Sequence, residues 1–422
     1  MRRILFLLLL AAPLRAQTVT LLHFSDYHSH ALPYYTGVGE NQGGIARAIG
    51  YLKQQKRAGA IVLSGGDMVN KGAPAWSDKY QCAEWPWFNG IVDAMSFGNH
   101  DADYGLEALE NCRAQLTYPV LNADNTLVRA NGKTIGIFAV AGSDFPRLVK
   151  EPRLHFDDPI AAARKQVREL REVWHVDAVV MIGHEHNADD FKLAQAVPGI
   201  DLIFGSHSHI EHPLQKIPNT NTWFIAPAQY LTSIARAELT FRDGGVDAIG
   251  ALVPVDAHMK EDARIAQRVK SMQRALERDP QYAEQFTRIA SLSQPLSLEA
   301  LAARSLEAVR RAVNADVALS TVSSYRQPLP AGPLTDETLR AAMPYDNEIV
   351  VATINGAKLQ ELLTAIEARR GSDSFAYVAK PDTIDASRDY RVATTDYAAG
   401  VYGLTGAEKT GKRVREEFRK SL

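Results

Sequence analysis

Leu22-His23-Phe24-Ser25-Asp26-Tyr27-His28 sets the reading of this chain. The apolar run Val19–Phe24 reads as a short strand, and it runs straight into a carboxylate and an imidazole two residues apart. Four more short apolar runs end in the same way. Ile61–Leu63 leads into Ser64-Gly65-Gly66-Asp67, and Ala94–Phe97 into Gly98-Asn99-His100-Asp101-Ala102-Asp103-Tyr104-Gly105. Ala178–Ile182 leads into Gly183-His184-Glu185-His186, and Leu202–Phe204 into Gly205-Ser206-His207-Ser208-His209. Between them lie helical stretches such as Ile45–Gln55, Tyr104–Gln115 and Ile160–Val173, with further strands at Ile135–Val140 and Trp223–Ala226. Alternating strands and helices predict an α/β domain with a partly parallel sheet. Ligand sites in such a sheet form at the carboxyl ends of the strands, so five loops leaving one edge can converge.

Taken singly, these residues say little. An Asp after a strand is more often a helix N-cap than a ligand, and an Asn after Gly is usually a turn residue. The repetition across five strand ends is what points to chemistry. Carboxylates, imidazoles and one amide make a mixed oxygen and nitrogen site for Zn, Mn, Fe or Co, not a thiolate site. Asp26, His28, Asp67, Asn99, His184, His207 and His209 form the candidate ligand set, with Asp67 the candidate bridge between two ions. Glycines ahead of the ligands permit tight turns and close backbone approach. Two ions roughly 3.5–4 Å apart supply a hydroxide at neutral pH and clamp phosphate oxygens.

These blocks resemble, in order and spacing, those of the calcineurin-like metallophosphatases, and most closely the secreted 5′-nucleotidase / UDP-sugar hydrolase branch. The resemblance spans residues 20–255 and, more faintly, the remainder. It implies a four-layer α/β/β/α sandwich, a linker helix and a smaller C-terminal α/β nucleotidase-like domain. It implies one metal on Asp26, His28, Asp67 and His209, and a second on Asp67, Asn99, His184 and His207. His100, paired with Asp103, would stand beside the ions, steady the phosphoryl group and act as general acid, while the hydroxide held by the metals attacks phosphorus. His209 departs from the branch, which usually has glutamine there. His186 and His30 match no family role and read as supporting or surface residues.

After Val255 the texture changes. Ile265, Val269, Met272 and Leu276 give a helical rhythm over Asp262–Leu276. The implied division is a signal peptide 1–16, a metallophosphatase domain 17–255, a linker helix region 256–290 and a substrate domain 291–422. In the last, Pro344-Tyr345-Asp346-Asn347 and Thr395-Asp396-Tyr397-Ala398 resemble the family's two aromatic loops. Tyr345 and Tyr397 would then clasp a base, with Asn347 and Asn99 also contacting substrate. The family's glycine-rich loop has become Ser320-Thr321-Val322-Ser323-Ser324-Tyr325-Arg326, in which Arg326 is the remaining anion-binding candidate. Gly400-Val401-Tyr402-Gly403 replaces the acid-bearing turn that would read a ribose.

Composition bounds the rest. Hydrophobic residues at 46% and charged residues at 23% are ordinary for a globular protein. A net charge of -2 argues against a nucleic-acid polymer as partner. The basic C-terminal run, Lys409, Lys412, Arg413, Arg415, Arg419 and Lys420, reads as a solvated helix end. Arg2 and Arg3 precede the apolar run Ile4–Ala12 and then Pro13-Leu14-Arg15-Ala16, which reads as a cleaved leader. Export to the periplasm or medium follows, with no membrane segment in the mature chain. The two cysteines, Cys82 and Cys112, either pair or remain two buried thiols. The expected partner is a small phosphate ester, nucleotides first. Alternatives are a related dimanganese thiosulfohydrolase or a binding protein that keeps the fold.

Overall fold

The computed structural model describes residues 17–38, 41–243 and 245–422, so the leader 1–16 lies outside the described residues. Two six-stranded sheets lie face to face. In the first, the strands Thr18–Phe24, Ile61–Ser64, Ala94–Ser96 and Val120–Leu121 run parallel, side by side, and the long hairpin Ser233–Arg242 / Gly245–Pro254 closes one edge. In the second, Lys133–Phe138, Ala178–Met181, Leu202–Phe204 and Trp223–Ala226 run parallel, flanked by Asn125–Ala130 and His212–Lys216.

Strand alternation creates the layers. Leu21, Leu63 and Ala94 point into the seam between the sheets, where they meet Ile137, Val180 and Phe204. Leu22, Phe24 and Val62 point the other way, beneath the helix Ile45–Arg57. Phe138, Val179 and Met181 back the second sheet against Pro159–Arg168 and Asn187–Ala196. The result is helix, sheet, sheet, helix. The expected strands are all present; the hairpin strands and the edge strands were not anticipated, because their residues alternate between buried and exposed with few long apolar runs.

The helix Ala263–Glu277 starts at Asp262, whose carboxylate accepts from Arg264 N and Ile265 N at 3.1 Å. Its Ile265, Val269 and Leu276 join the core outside the first sheet, so it is packed and not a free spacer. The pair Cys82–Cys112 is disulfide-bonded, with Cα atoms 5.8 Å apart. Beyond it, a five-stranded sheet runs in the order Ala376–Ala379, Val317–Thr321, Asp389–Thr395, Glu348–Asn355, Glu408–Arg413. Leu298–Ala312 and Val414–Lys420 cover one face and Gly356–Glu367 the other. The basic C-terminal run is therefore half strand and half helix. Arg415 is buried, and its guanidinium donates to Met343 O at 2.9 Å and Pro344 O at 3.2 Å, which corrects the reading of a solvated helix end for that residue. Among the described residues no helix is long and apolar enough to cross a membrane.

Candidate metal centre

Three of the five loops leave the first sheet and two leave the second. The expectation of one edge of one sheet becomes a shared end of two stacked sheets. That arrangement lets ligands approach a common point from both layers. Asp26, His28 and His209 gather their ligand atoms within 4.8 Å of one another, and so do Asp67, His184 and His207.

Asp67 stands where the two groups meet. Its Oδ2 is 3.2 Å from His184 Nε2 and 3.7 Å from His28 Nε2, while Oδ1 accepts from His100 N at 2.8 Å. Asp26 Oδ1 is 3.1 Å from His209 Nε2. Asn99 Oδ1, Asp26 Oδ1 and His184 Nε2 are buried with no hydrogen-bond partner among the described residues. Buried polar atoms are nearly always satisfied, so orphans on three of these loops fit residues that hold cations.

The backbone is bent to make this possible. Asp26, His28, Asp67, His207 and His209 all have left-handed φ, at 53, 47, 51, 60 and 58°. Such residues are uncommon outside glycine, and each carries strain that surrounding structure must hold. Asp101 supplies part of that hold, accepting from Met68 N and Gly98 N, both at 2.8 Å, and so tying the second loop to the third. A side chain at Gly98 would collide with the Asp67 backbone, so only glycine fits there.

Two of the ligand imidazoles, His28 and His184, are also oriented through their second nitrogen. His28 Nδ1 lies 3.1 Å from Val69 O and His184 Nδ1 lies 2.6 Å from Gly65 O. A ring that donates Nδ1–H to a carbonyl presents an unprotonated Nε2, which is the form that binds metal. Burial holds His28 well below the usual imidazole range and pushes His209 down to about 4, helped by the Arg326 guanidinium. Burial works against a charged His184 too, but the Asp67 carboxylate outweighs it in this metal-free geometry and lifts the group to about 9.

His100 sits apart from the ligand groups. Its Nδ1 is 2.8 Å from Asp103 Oδ2 and its Nε2 is 3.3 Å from the Tyr345 hydroxyl. Burial opposes its charge, yet Tyr345, Asp103 and Asp67 together raise it well above the usual range. Arg326 is half-buried between His209 and Tyr345, donating from Nη2 to the Tyr345 hydroxyl at 2.9 Å. Tyr345, Tyr397, Asn347, Arg326, His100 and Asn99 all line a cavity of about 1070 Å³ between the metal loops and the C-terminal sheet. Tyr345 thus turns its hydroxyl toward the metal end. The Tyr397 ring, 39% exposed, has the Arg147 guanidinium 5.4 Å from its centre.

Sequence reasoning missed Asp144 and Asp373. Asp144 Oδ2 lies 3.5 Å from both His207 Nε2 and His186 Nε2, and Asp373 Oδ2 lies 2.8 Å from His186 Nδ1. His186 therefore has two carboxylate partners, which outweigh its burial and raise it to about 10, and with Asp144 and His207 its ligand atoms gather within 4.8 Å of one another. His30 is buried and stacks on Tyr230 at 3.6 Å. Asp144 had a signal, because Ala141-Gly142-Ser143-Asp144 follows a strand in the same form as the five blocks.

Residues 19–211 match the calcineurin-like phosphoesterase family, and residues 275–382 match the 5′-nucleotidase C-terminal domain. The chain thus carries a calcineurin-like phosphoesterase domain followed by a 5′-nucleotidase C-terminal domain. It is a metal-dependent phosphoric ester hydrolase by descent. Protein UshA of Yersinia enterocolitica is 24% identical over 90% of this chain and 85% of its own length. Human 5′-nucleotidase is 27% identical over 46% of this chain and 38% of its own. The 5′-nucleotidase precursor of Thermus thermophilus superposes with a TM-score of 0.75 at 21% identity, each chain 96% covered. The sulfate thiohydrolase SoxB of the same genus superposes with 0.74 at 19% identity, with 97% of this chain and 95% of that one covered. At such identities the two superpositions speak to the fold alone.

Proposed function

We propose that the chain is an exported 5′-nucleotidase-type phosphoesterase that uses two divalent ions. The observation that carries this reading is Asp67, whose one carboxylate oxygen lies within 3.2 Å of His184 and 3.7 Å of His28, between two otherwise separate ligand groups. Bound there, the ions would activate a water and neutralise the phosphoryl oxygens.

The chain's own residues do the rest. Asn99 and Arg326 lie where phosphoryl oxygens would bind, and Arg326 brings a planar set of donors suited to them. Asp103 accepts from His100 Nδ1, so Nε2 faces the cavity and carries the proton for the leaving oxygen. The Tyr345 hydroxyl, bonded by Arg326 and next to His100, stands at the same phosphoryl end. Tyr397 lines the same cavity, where a base would reach it. The nucleotide preference draws on relatives named as 5′-nucleotidases, and export draws on the leader sequence.

The test is a substrate panel at saturating metal: nucleoside 5′-monophosphates, cyclic nucleotides, sugar nucleotides, an aryl phosphate and a thiosulfate conjugate. Nucleotide turnover with kcat/KM well above that for the aryl phosphate supports the reading. Turnover of the sulfur substrate alone, or of none, rejects it.

A further inference from the structure

Building on the metal-centre reading above, we propose that Asp373, carried by the C-terminal unit, is a positioning residue for the metal ligand His207 and acts through His186 and Asp144. His28 and His184 are each oriented by a backbone carbonyl of a neighbouring loop. His207 has no such carbonyl among the described residues; its Nε2 faces Asp144 Oδ2 at 3.5 Å, which leaves Nδ1 as its metal donor.

Asp144 is shared. The same oxygen is 3.5 Å from His186 Nε2, and the other nitrogen of that ring is 2.8 Å from Asp373 Oδ2. Asp373 Oδ2 also accepts from Ser208 Oγ at 2.6 Å, and Ser208 Oγ in turn accepts from Asn187 N at 2.9 Å. Acid, imidazole, acid and imidazole therefore alternate from the C-terminal turn to the metal loop. Both nitrogens of His186 are engaged, which fixes its ring and, with it, the side of Asp144 that His207 meets. Asp373 further pins Ser208, the residue between the ligands His207 and His209, so it reaches the metal loop by a second, shorter route.

Outer partners of this kind hold a ligand ring in place and raise its basicity, and losing one typically costs 10–100-fold in metal affinity or activity. The unusual feature here is that the outermost partner comes from the other structural unit, 187 positions along the chain from His186. Retention of the ion on Asp67, His184 and His207 thus depends on the C-terminal turn staying docked.

The experiment measures metal retention and kinetics on the full chain. Asp373→Ala, Asp373→Asn and His186→Gln are loaded with zinc, titrated with a competing chelator, and assayed on an aryl phosphate. One of two ions should be lost roughly 10–100-fold more readily in Asp373→Ala and His186→Gln, with kcat falling and KM for the aryl phosphate little changed. Asp373→Asn, which can still accept from Ser208, should recover part of the loss. Retention equal to wild type in both Asp373→Ala and His186→Gln overturns the proposal, as does a wild-type chain holding three ions, since Asp144 and His186 would then be ligands. Wild-type protein that holds two ions but hydrolyses no phosphate ester refutes the functional reading, while the retention arm still decides the role of Asp373.

Discussion

The cavity between the two units has a metal end and an aromatic end, and they are built by different means. At the metal end, ligands sit on the first residues after buried parallel strands, held by left-handed backbone and by glycine contacts that allow no side chain. At the aromatic end, Tyr397 sits in the first turn of the helix Asp396–Val401, while Tyr345, on a loop of the same unit, reaches from there toward the metal end. The Tyr345 loop is tied down by Arg415, which reaches Met343 and Pro344, and by Arg413 Nη1 donating to Asp346 O at 2.6 Å. One end is fixed by residue identity within short motifs, the other by long-range contacts between dissimilar residues. The first should therefore tolerate no substitution, and the second should change specificity before it changes rate.

Substitutions graded from one end of the cavity to the other sharpen that contrast. Asp67→Ala removes the oxygen common to both ligand groups, and kcat on any phosphate ester should fall by about 10³-fold or more, beyond the roughly 100-fold loss of an outer partner. Near-normal turnover would break the bridging assignment. His100→Ala should lower kcat by about 10²–10⁴-fold for nucleotides and aryl phosphate alike, and more steeply for esters with poor leaving groups, as loss of a general acid does. A uniform loss across leaving groups would restrict His100 to binding.

Tyr345 lies where the two ends meet, so two substitutions are informative. If its hydroxyl works beside His100, Tyr345→Phe should cut kcat by about tenfold or more on both substrates, the scale of one hydrogen bond to a charged group. If the ring is only a platform for a base, Tyr345→Phe should be near neutral and Tyr345→Ala should raise KM for nucleotides alone. Tyr397→Ala belongs wholly to the aromatic end. It should raise KM for nucleotides by about 1–3 kcal/mol equivalent and leave the aryl phosphate unchanged. Equal effects on both substrates would remove Tyr397 from the base site.

The same contrast explains what could be read in advance. Asp26, Asp67, Asn99, His184 and His207 were legible because each follows an apolar run, and strand ends on a parallel sheet share a side. Which sheet each loop leaves was not legible, since the pattern of a strand does not say which sheet it joins; the two-sheet sandwich came from the family resemblance. His186 was visible but without a role, because its partners Asp144 and Asp373 come from distant segments. Asp373 lies in Gly371-Ser372-Asp373-Ser374, which reads as any polar turn. Arg415 looked solvated because charge runs usually are, and only the strand pairing of Glu408–Arg413 carries it inward.

Metal stoichiometry coupled to turnover tests the account most directly. Protein stripped by a chelator and titrated with one divalent metal, with bound metal and aryl phosphate hydrolysis followed together, should be inactive at the start and bind two ions per chain. Activity should rise with the second ion. Full activity with one ion, or in the stripped protein, would contradict it.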